Sequence, residues 1–156
     1  MNKIVMNEEA IRFINIKKDI GKKIIFTNGV FDLFHFGHVR YLKEASSYGD
    51  YLVVAINSDK SVKKIKGPTR PIINQNQRAE IVSSLECVTF VTIFDEDNPF
   101  NLIKKIKPDF LIKGSNWKYD EIVGKEFVES YGGQIIRIKL TEGISTTKII
   151  ERIKNL

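Results

Sequence analysis

The stretch KIIFTNGVFDLFHFGHVRY, Lys23–Tyr41, decides how the rest of the chain is read. It opens with a short apolar run, Ile24-Ile25-Phe26, that reads as a buried strand. The run stops at Thr27-Asn28-Gly29, a turn signal. His35-Phe36-Gly37-His38 follows and leads into a helical pattern, and these are the chain's two histidines. In an open α/β sheet, ligands bind outside the carboxyl ends of the strands. A helix N-terminus there offers free N–H groups and a partial positive charge, which suits phosphate. Gly37 carries no side chain and lets the backbone approach a ligand, while His35 and His38 add donors able to carry charge. Together they suit a phosphate whose negative charge grows during a reaction. Two histidines three residues apart can also be half of a zinc site, but a single cysteine, Cys87, and no third histidine weigh against it. Phe31, Phe34 and Phe36 read as core and wall.

Working outward, Glu8 to Ile20 reads as a helix capped by Asn7 and stopped by Gly21. Strand one spans Lys23 to Thr27, and the helix after it runs to about Tyr48 and ends at Gly49. Tyr51 to Asn57, YLVVAIN, is a β-branched run typical of a buried parallel strand. Ser61 to Pro71 reads as a basic loop with Gly67 and two prolines, reaching the same site as strand one. Asn74 to Leu85 is predicted helical, Cys87 to Phe94 a strand, and Pro99 to Ile106 a helix with proline in its first turn. Pro108 to Lys113 carries a fourth strand, Glu121 to Tyr131 a helix, Gln134 to Ile138 a fifth strand, and a last helix runs to about Ile153. Strands alternating with helices imply right-handed crossovers and a parallel sheet. The expected fold is therefore α/β: a Rossmann-like five-stranded parallel sheet with helices on both faces, in one domain over residues 1–156.

Composition sets the class. With 42% hydrophobic and 28% charged residues among 156, the chain can bury a core and is not disordered. No apolar run approaches the ~20 residues of a membrane span. The N-terminus lacks an apolar signal region, and one cysteine forbids an intrachain disulfide, so a cytoplasmic location is expected. The net charge of +6 admits nucleic acid or phosphorylated small molecules as partners. There is no basic stripe with interleaved aromatics, so a non-catalytic nucleic-acid module is the weaker alternative and neither nucleic acid nor membrane is an expected partner.

The segment TNGVFDLFHFGHVRYL resembles the nucleotidyltransferase superfamily known for its HxGH signature. A second segment, Gly143-Ile144-Ser145-Thr146-Thr147-Lys148, is similar to that superfamily's other phosphate-binding motif. Within it, the stretches AINSDKSVKKIKGPTRPI, QRAEIVSSLECV, FDEDNPFNLIKKIKPDFLIKG and GISTTKIIERI resemble the D-glycero-β-D-manno-heptose 1-phosphate adenylyltransferases, often fused behind a sugar kinase. The resemblance covers nearly everything from Lys22 to Ile153, and the kinase half has no counterpart here. Gly114-Ser115-Asn116-Trp117 stands where that family usually has Gly-Gly-Asp-Tyr, and Leu140 to Thr147 is similar to glycerol-3-phosphate cytidylyltransferases, the alternative reading.

The resemblance implies transfer of a nucleoside monophosphate from a triphosphate, ATP with Mg²⁺, to a sugar 1-phosphate. It assigns His35, His38 and Lys63 to catalysis. It gives the nucleotide to Asn28, Gly29, Val30, Phe31, Gly37, Lys66, Arg78, Lys113, Gly114, Asn116, Trp117, Ser145, Thr146 and Thr147. Asp32 and Asn57 are expected on the acceptor side, with Asp32 accepting hydrogen bonds from sugar hydroxyls, and no residue is expected to ligate a metal directly. A homo-oligomer, a dimer, is expected.

Overall fold

The computed structural model describes residues 2–5 and 7–156. Five parallel strands form one sheet in the order β3-β2-β1-β4-β5. They are β1 (Ile24–Gly29), β2 (Tyr51–Asn57), β3 (Phe90–Phe94), β4 (Phe110–Gly114) and β5 (Gln134–Ile138). Among the described residues seven α-helices accompany them: α1 (Asn7–Asp19), α2 (Phe36–Ser46), α3 (Asp59–Lys66), α4 (Gln75–Ser83), α5 (Phe100–Ile106), α6 (Lys125–Ser130) and α7 (Thr146–Lys154). The predicted α/β architecture is observed.

The strands are apolar throughout because both faces of the sheet are covered. Alternation along them sorts two cores. Ile24, Phe26, Val53, Ala55 and Leu111 pack with Ile14, Ile103, Ile106 and Val128 of α1, α5 and α6. Ile25, Leu52, Val54, Ile56 and Ile112 pack with Leu42, Ala45, Ala79 and Val82 of α2 and α4. Register is tight at the centre, where Ile25 pairs both Leu52 and Phe110.

Several local expectations change. The "basic loop" from Ser61 is helix α3 up to Lys66, because Ser58 accepts from the Ser61 N–H as N-cap and three lysines fall in the last turn, where the helix dipole favours cations. Gly67, at φ 98°, ends it. The strand expected from Cys87 begins at Phe90. The helix expected over 121–131 splits into a short 3-10 turn at Tyr119–Glu121 and α6, with Gly124 at φ 87° between them. Asn7 is the first residue of α1, and the cap expected of its side chain lies outside the described residues.

The order of strands places the topological switch between β1 and β4, whose crossovers run to opposite sides. A ligand crevice is expected there, beyond the ends of Gly29 and Gly114.

Candidate active site

A cleft of about 530 Å³ opens at that switch point. It is lined from β1 and its loop by Asn28, Gly29, Val30, Phe31 and Asp32, and from α2 by His35, Gly37 and His38. Asn57, Lys66, Lys113, Gly114, Asn116, Trp117, Ser145, Thr146 and Thr147 complete the set of predicted residues that meet there.

The two histidines build the start of α2. His35 is the N-cap, and its Nδ1 accepts from the Gly37 N–H at 3.1 Å. His38 answers with Nδ1 accepting from the His35 N–H at 3.3 Å. This is a capping box made of imidazoles. Both Nδ1 atoms are occupied as acceptors, so each ring is neutral and carries its proton on Nε2. The rings stack with centroids 3.8 Å apart. Burial, then the neighbouring His35, brings His38 down to about 4, and burial lowers His35 as well. The histidines, read from sequence as donors able to carry charge, are therefore neutral N–H donors in the free protein. A Cβ on Gly37 would stand 3.0 Å from the His35 ring and 3.2 Å from Ile144, so glycine at this position makes room for the histidine itself.

The loop before α2 is strained and pinned. Phe31 and Leu33 adopt φ of 52° and 45°, a conformation costly for bulky side chains, roughly 1–3 kcal/mol each. Three groups hold it. Asp32 accepts from the N–H groups of Leu33, Ile72 and Ile73 and from Arg70 Nε, all within 3.0 Å. Arg78 donates to the Val30 carbonyl at 2.6 Å, and Thr146 Oγ1 to the Asp32 carbonyl at 2.7 Å. Burial works to raise the Asp32 pKa, but the hydrogen bonds from Ile72, Ile73 and Arg70 outweigh it and hold the carboxyl below its usual range.

This network corrects the expectations for Asp32 and Arg78, and the course of α3 corrects that for Lys63. Asp32 is 1% exposed with both oxygens engaged, so it braces the loop and has no free lone pair facing a sugar. Arg78 is buried and donates to Ile73, Val30 and Asp59, so its guanidinium is committed to protein groups and away from phosphate. Lys63 lies on the exposed side of α3 and is not among the residues lining the cleft, whereas Lys66, at the end of the helix, is. Ser145 is the N-cap of α7, accepting from the Lys148 N–H, so its hydroxyl serves the helix first.

Lys113 bridges the switch point. It is 8% exposed, donates from Nζ to Asn28 Oδ1 at 2.7 Å and lies 5.2 Å from the centre of the Trp117 ring. Burial lowers its pKa to about 8. At Gly114 a Cβ would meet Asn116 Oδ1 at 2.6 Å and Leu140 at 2.9 Å, so a larger residue there would displace those two lining side chains. The structure adds lining residues that the sequence reading did not assign: Arg70, Ile65, Leu140, Ile144, Asp97 and Asn98. The last two follow the carboxyl end of β3, a position that general placement of ligands in such sheets points to.

The arrangement presents neutral N–H donors, one buried amine and a helix N-terminus to one cavity, which suits a polyphosphate. The family model described as "Cytidylyltransferase-like" matches residues 26–152. The chain is 47% identical over 152 residues to "Bifunctional protein HldE" of Syntrophotalea carbinolica, covering 97% of this chain and 31% of that protein. It is 50% identical over 151 residues to the protein of the same name from Geotalea uraniireducens, with 96% and 31% covered. The chain thus spans about a third of the length of these curated relatives. Among solved structures it is similar to a lipopolysaccharide core biosynthesis protein from Thermoplasma volcanium, at a TM-score of 0.67 and 31% identity over 78% of this chain and 100% of that one. A pantoate-beta-alanine ligase from Francisella tularensis shares the fold at a TM-score of 0.59 and 18% identity, over 100% of this chain and 79% of that one. With its switch-point cleft, histidine capping box and a family match across most of its length, the chain belongs to the cytidylyltransferase-like family of nucleotidyltransferases.

Proposed function

We propose that this protein transfers AMP from ATP to D-glycero-β-D-manno-heptose 1-phosphate, giving ADP-heptose and pyrophosphate. The observation that carries the chemistry is the convergence of the His35 and His38 rings with Lys113 at the β1/β4 crevice. An oxygen of the sugar phosphate attacks the α-phosphorus of ATP. The new P–O bond forms as the bond to the β-phosphate bridging oxygen breaks. Nothing covalent is required of the protein, so positioning and charge stabilisation dominate. The Nε2–H groups of the histidines and the Lys113 ammonium are the donors for the crowded phosphorus. Lys66 and the first N–H groups of α7 are the receivers of the departing pyrophosphate. Mg²⁺ would accompany the triphosphate and neutralise part of its charge, with few protein ligands of its own.

The choice of base and sugar rests on the resemblance over Lys22 to Ile153 and on the high identity to relatives named as bifunctional. Trp117, 45% exposed at the rim, is suited to cover the base. A dimer is part of this reading. It is supported by α7, which buries no residue within the protomer and leaves Ile153 60% exposed. No described helix is long and apolar enough to cross a membrane. Pyrophosphate release from ATP, CTP, GTP and UTP, each with heptose 1-phosphate, glycerol 3-phosphate and other sugar phosphates, tests the assignment. ATP with heptose 1-phosphate is the expected best pair. A preference for CTP with glycerol 3-phosphate would move the substrate assignment to the cytidylyltransferases.

A further inference from the structure

An acceptor rich in hydroxyl groups needs hydrogen-bonding partners that are not already satisfied. Two carboxylates line the cleft, Asp32 and Asp97. Asp32 has both oxygens engaged by four donors from the protein. Asp97 differs: its side chain is 76% exposed and Oδ1 meets Lys64 Nζ at 3.0 Å, which leaves Oδ2 as an acceptor. Beside it, Asn98 uses Oδ1 to accept from the Phe100 N–H at 3.0 Å, so its Nδ2 group remains as a donor. Asn57, at the end of β2, is only 5% exposed yet lines the same cleft. Its Nδ2 donates to Ser61 Oγ at 3.0 Å, and because no buried side-chain oxygen is left unpaired among the described residues, its Oδ1, which accepts from none of them, is open to the cleft.

These three groups lie on one side of the cleft. Asn57 closes β2 and the 95–98 loop follows β3, on the opposite flank of β1 from Gly114, Asn116 and Trp117. The loop is anchored to α3 by Ser61 Oγ donating to the Glu96 carbonyl at 3.4 Å and by the Lys64–Asp97 ion pair. The cavity therefore has a β4/β5 flank with an aromatic and a β2/β3 flank with unsatisfied acceptors and a donor, separated by His35, His38 and Lys113.

We propose that Asp97, with Asn98 and Asn57, forms the subsite that reads the hydroxyl groups of a polyhydroxylated sugar phosphate acceptor. The proposal rests on the nucleotidyl-transfer reading above and assigns the acceptor to the β2/β3 flank. The Asp97 Oδ2 accepts from a sugar hydroxyl, the amide of Asn98 donates to a ring or hydroxyl oxygen, and the Asn57 carbonyl accepts a further hydroxyl proton. Sites built this way reject analogues that lack the hydroxyl.

The test is steady-state pyrophosphate release by the wild-type protein, Asp97→Ala and Asn98→Ala, varying ATP and acceptor in turn over a panel of heptose 1-phosphate, glucose 1-phosphate and glycerol 3-phosphate. For the acceptor that the wild type uses, Asp97→Ala is expected to raise the acceptor KM about 10- to 100-fold, the worth of a hydrogen bond to a charged group. The ATP KM and the thermal unfolding midpoint should stay within about twofold and 2 °C of wild type, because an exposed side chain contributes little to the fold. Asn98→Ala should show the same split with a smaller rise. An unchanged acceptor KM in an active Asp97→Ala protein overturns this inference alone. A parallel loss of ATP affinity also overturns it, since that would make Asp97 a support for the whole cleft. A wild-type protein that releases no pyrophosphate with any of these acceptors refutes the proposed reaction, and this subsite with it.

Discussion

Replacing Lys113 by methionine should make the protein more stable and less active. The amine is nearly buried, and burial takes its pKa from 10.5 to about 8. At about 1.36 kcal/mol per tenfold change in proton affinity, that corresponds to roughly 3 kcal/mol of destabilisation carried by the charged form in the folded state. Methionine fills a similar volume without the charge. It forfeits the hydrogen bond to Asn28 Oδ1, which offsets about 1–2 kcal/mol. The net expectation is a gain of about 1–2 kcal/mol at pH 7. Its pH dependence is the sharper signature. Between about pH 8 and 10.5 the unfolded chain keeps the Lys113 proton and the folded chain releases it, so the wild type becomes more stable as pH rises through that window. The variant has no such group, and its advantage should vanish by about pH 10. Urea unfolding followed by far-ultraviolet circular dichroism at pH 7 and pH 10 measures both. Turnover should fall by about 100-fold or more, as when a preorganised donor is removed. A variant less stable than wild type at pH 7, or an advantage unchanged at pH 10, would refute the reasoning about desolvation. Undiminished turnover would refute the role given to Lys113.

The remaining expectations concern the loop and the histidines. His38→Ala should lower kcat by about 100- to 1,000-fold in pyrophosphate release, and wild-type turnover in this variant would remove His38 from the mechanism. Proton NMR should find the His38 ring titrating near 4 in the free protein and moving upward when a triphosphate is added, since an adjacent anion favours the imidazolium; a midpoint near 6.5 without ligand would contradict its burial. Arg78→Ala should destabilise by about 3 kcal/mol or more, read as a lower urea midpoint, because it strips a buried guanidinium from two carbonyls and Asp59; a near-neutral effect would show the guanidinium is not structural. Asp32→Asn should destabilise by about 2–3 kcal/mol near pH 7, read as a lower urea midpoint, and the difference should shrink as pH falls through the depressed folded value of the wild-type carboxyl, below which its ionised form no longer contributes; a difference that does not change with acidification would contradict the bracing role.

Periodicity and turn residues determined much of this protein from its sequence. The β-branched run Tyr51–Asn57 can only be a strand covered on both sides, and it is observed with those bounds. The alternation of strands and helices implied the parallel sheet, and the HxGH segment marked where its ligand end lies. These signals are local, so one chain suffices to read them. Helix α3 was hidden because its lysines and the following Gly67-Pro68 look like a loop, and the cap that nucleates it, Ser58, is a single hydroxyl.

Tertiary structure alone decided what each polar side chain does. Asp32 and Arg78 carry the chemistry expected of a ligand site, and a linear reading places them there. Folding brings the backbone of Ile72 and Ile73 to one and the Val30 carbonyl to the other, so both become braces for a strained loop. Asp97, some sixty residues from either histidine along the chain, enters the cleft only because β3 lies two strands from β1. The charge of the histidines was likewise not in the sequence. It follows from two backbone N–H groups that hold Nδ1 and from stacked rings buried beside one another, contacts that exist only once α2 has formed against the end of β1.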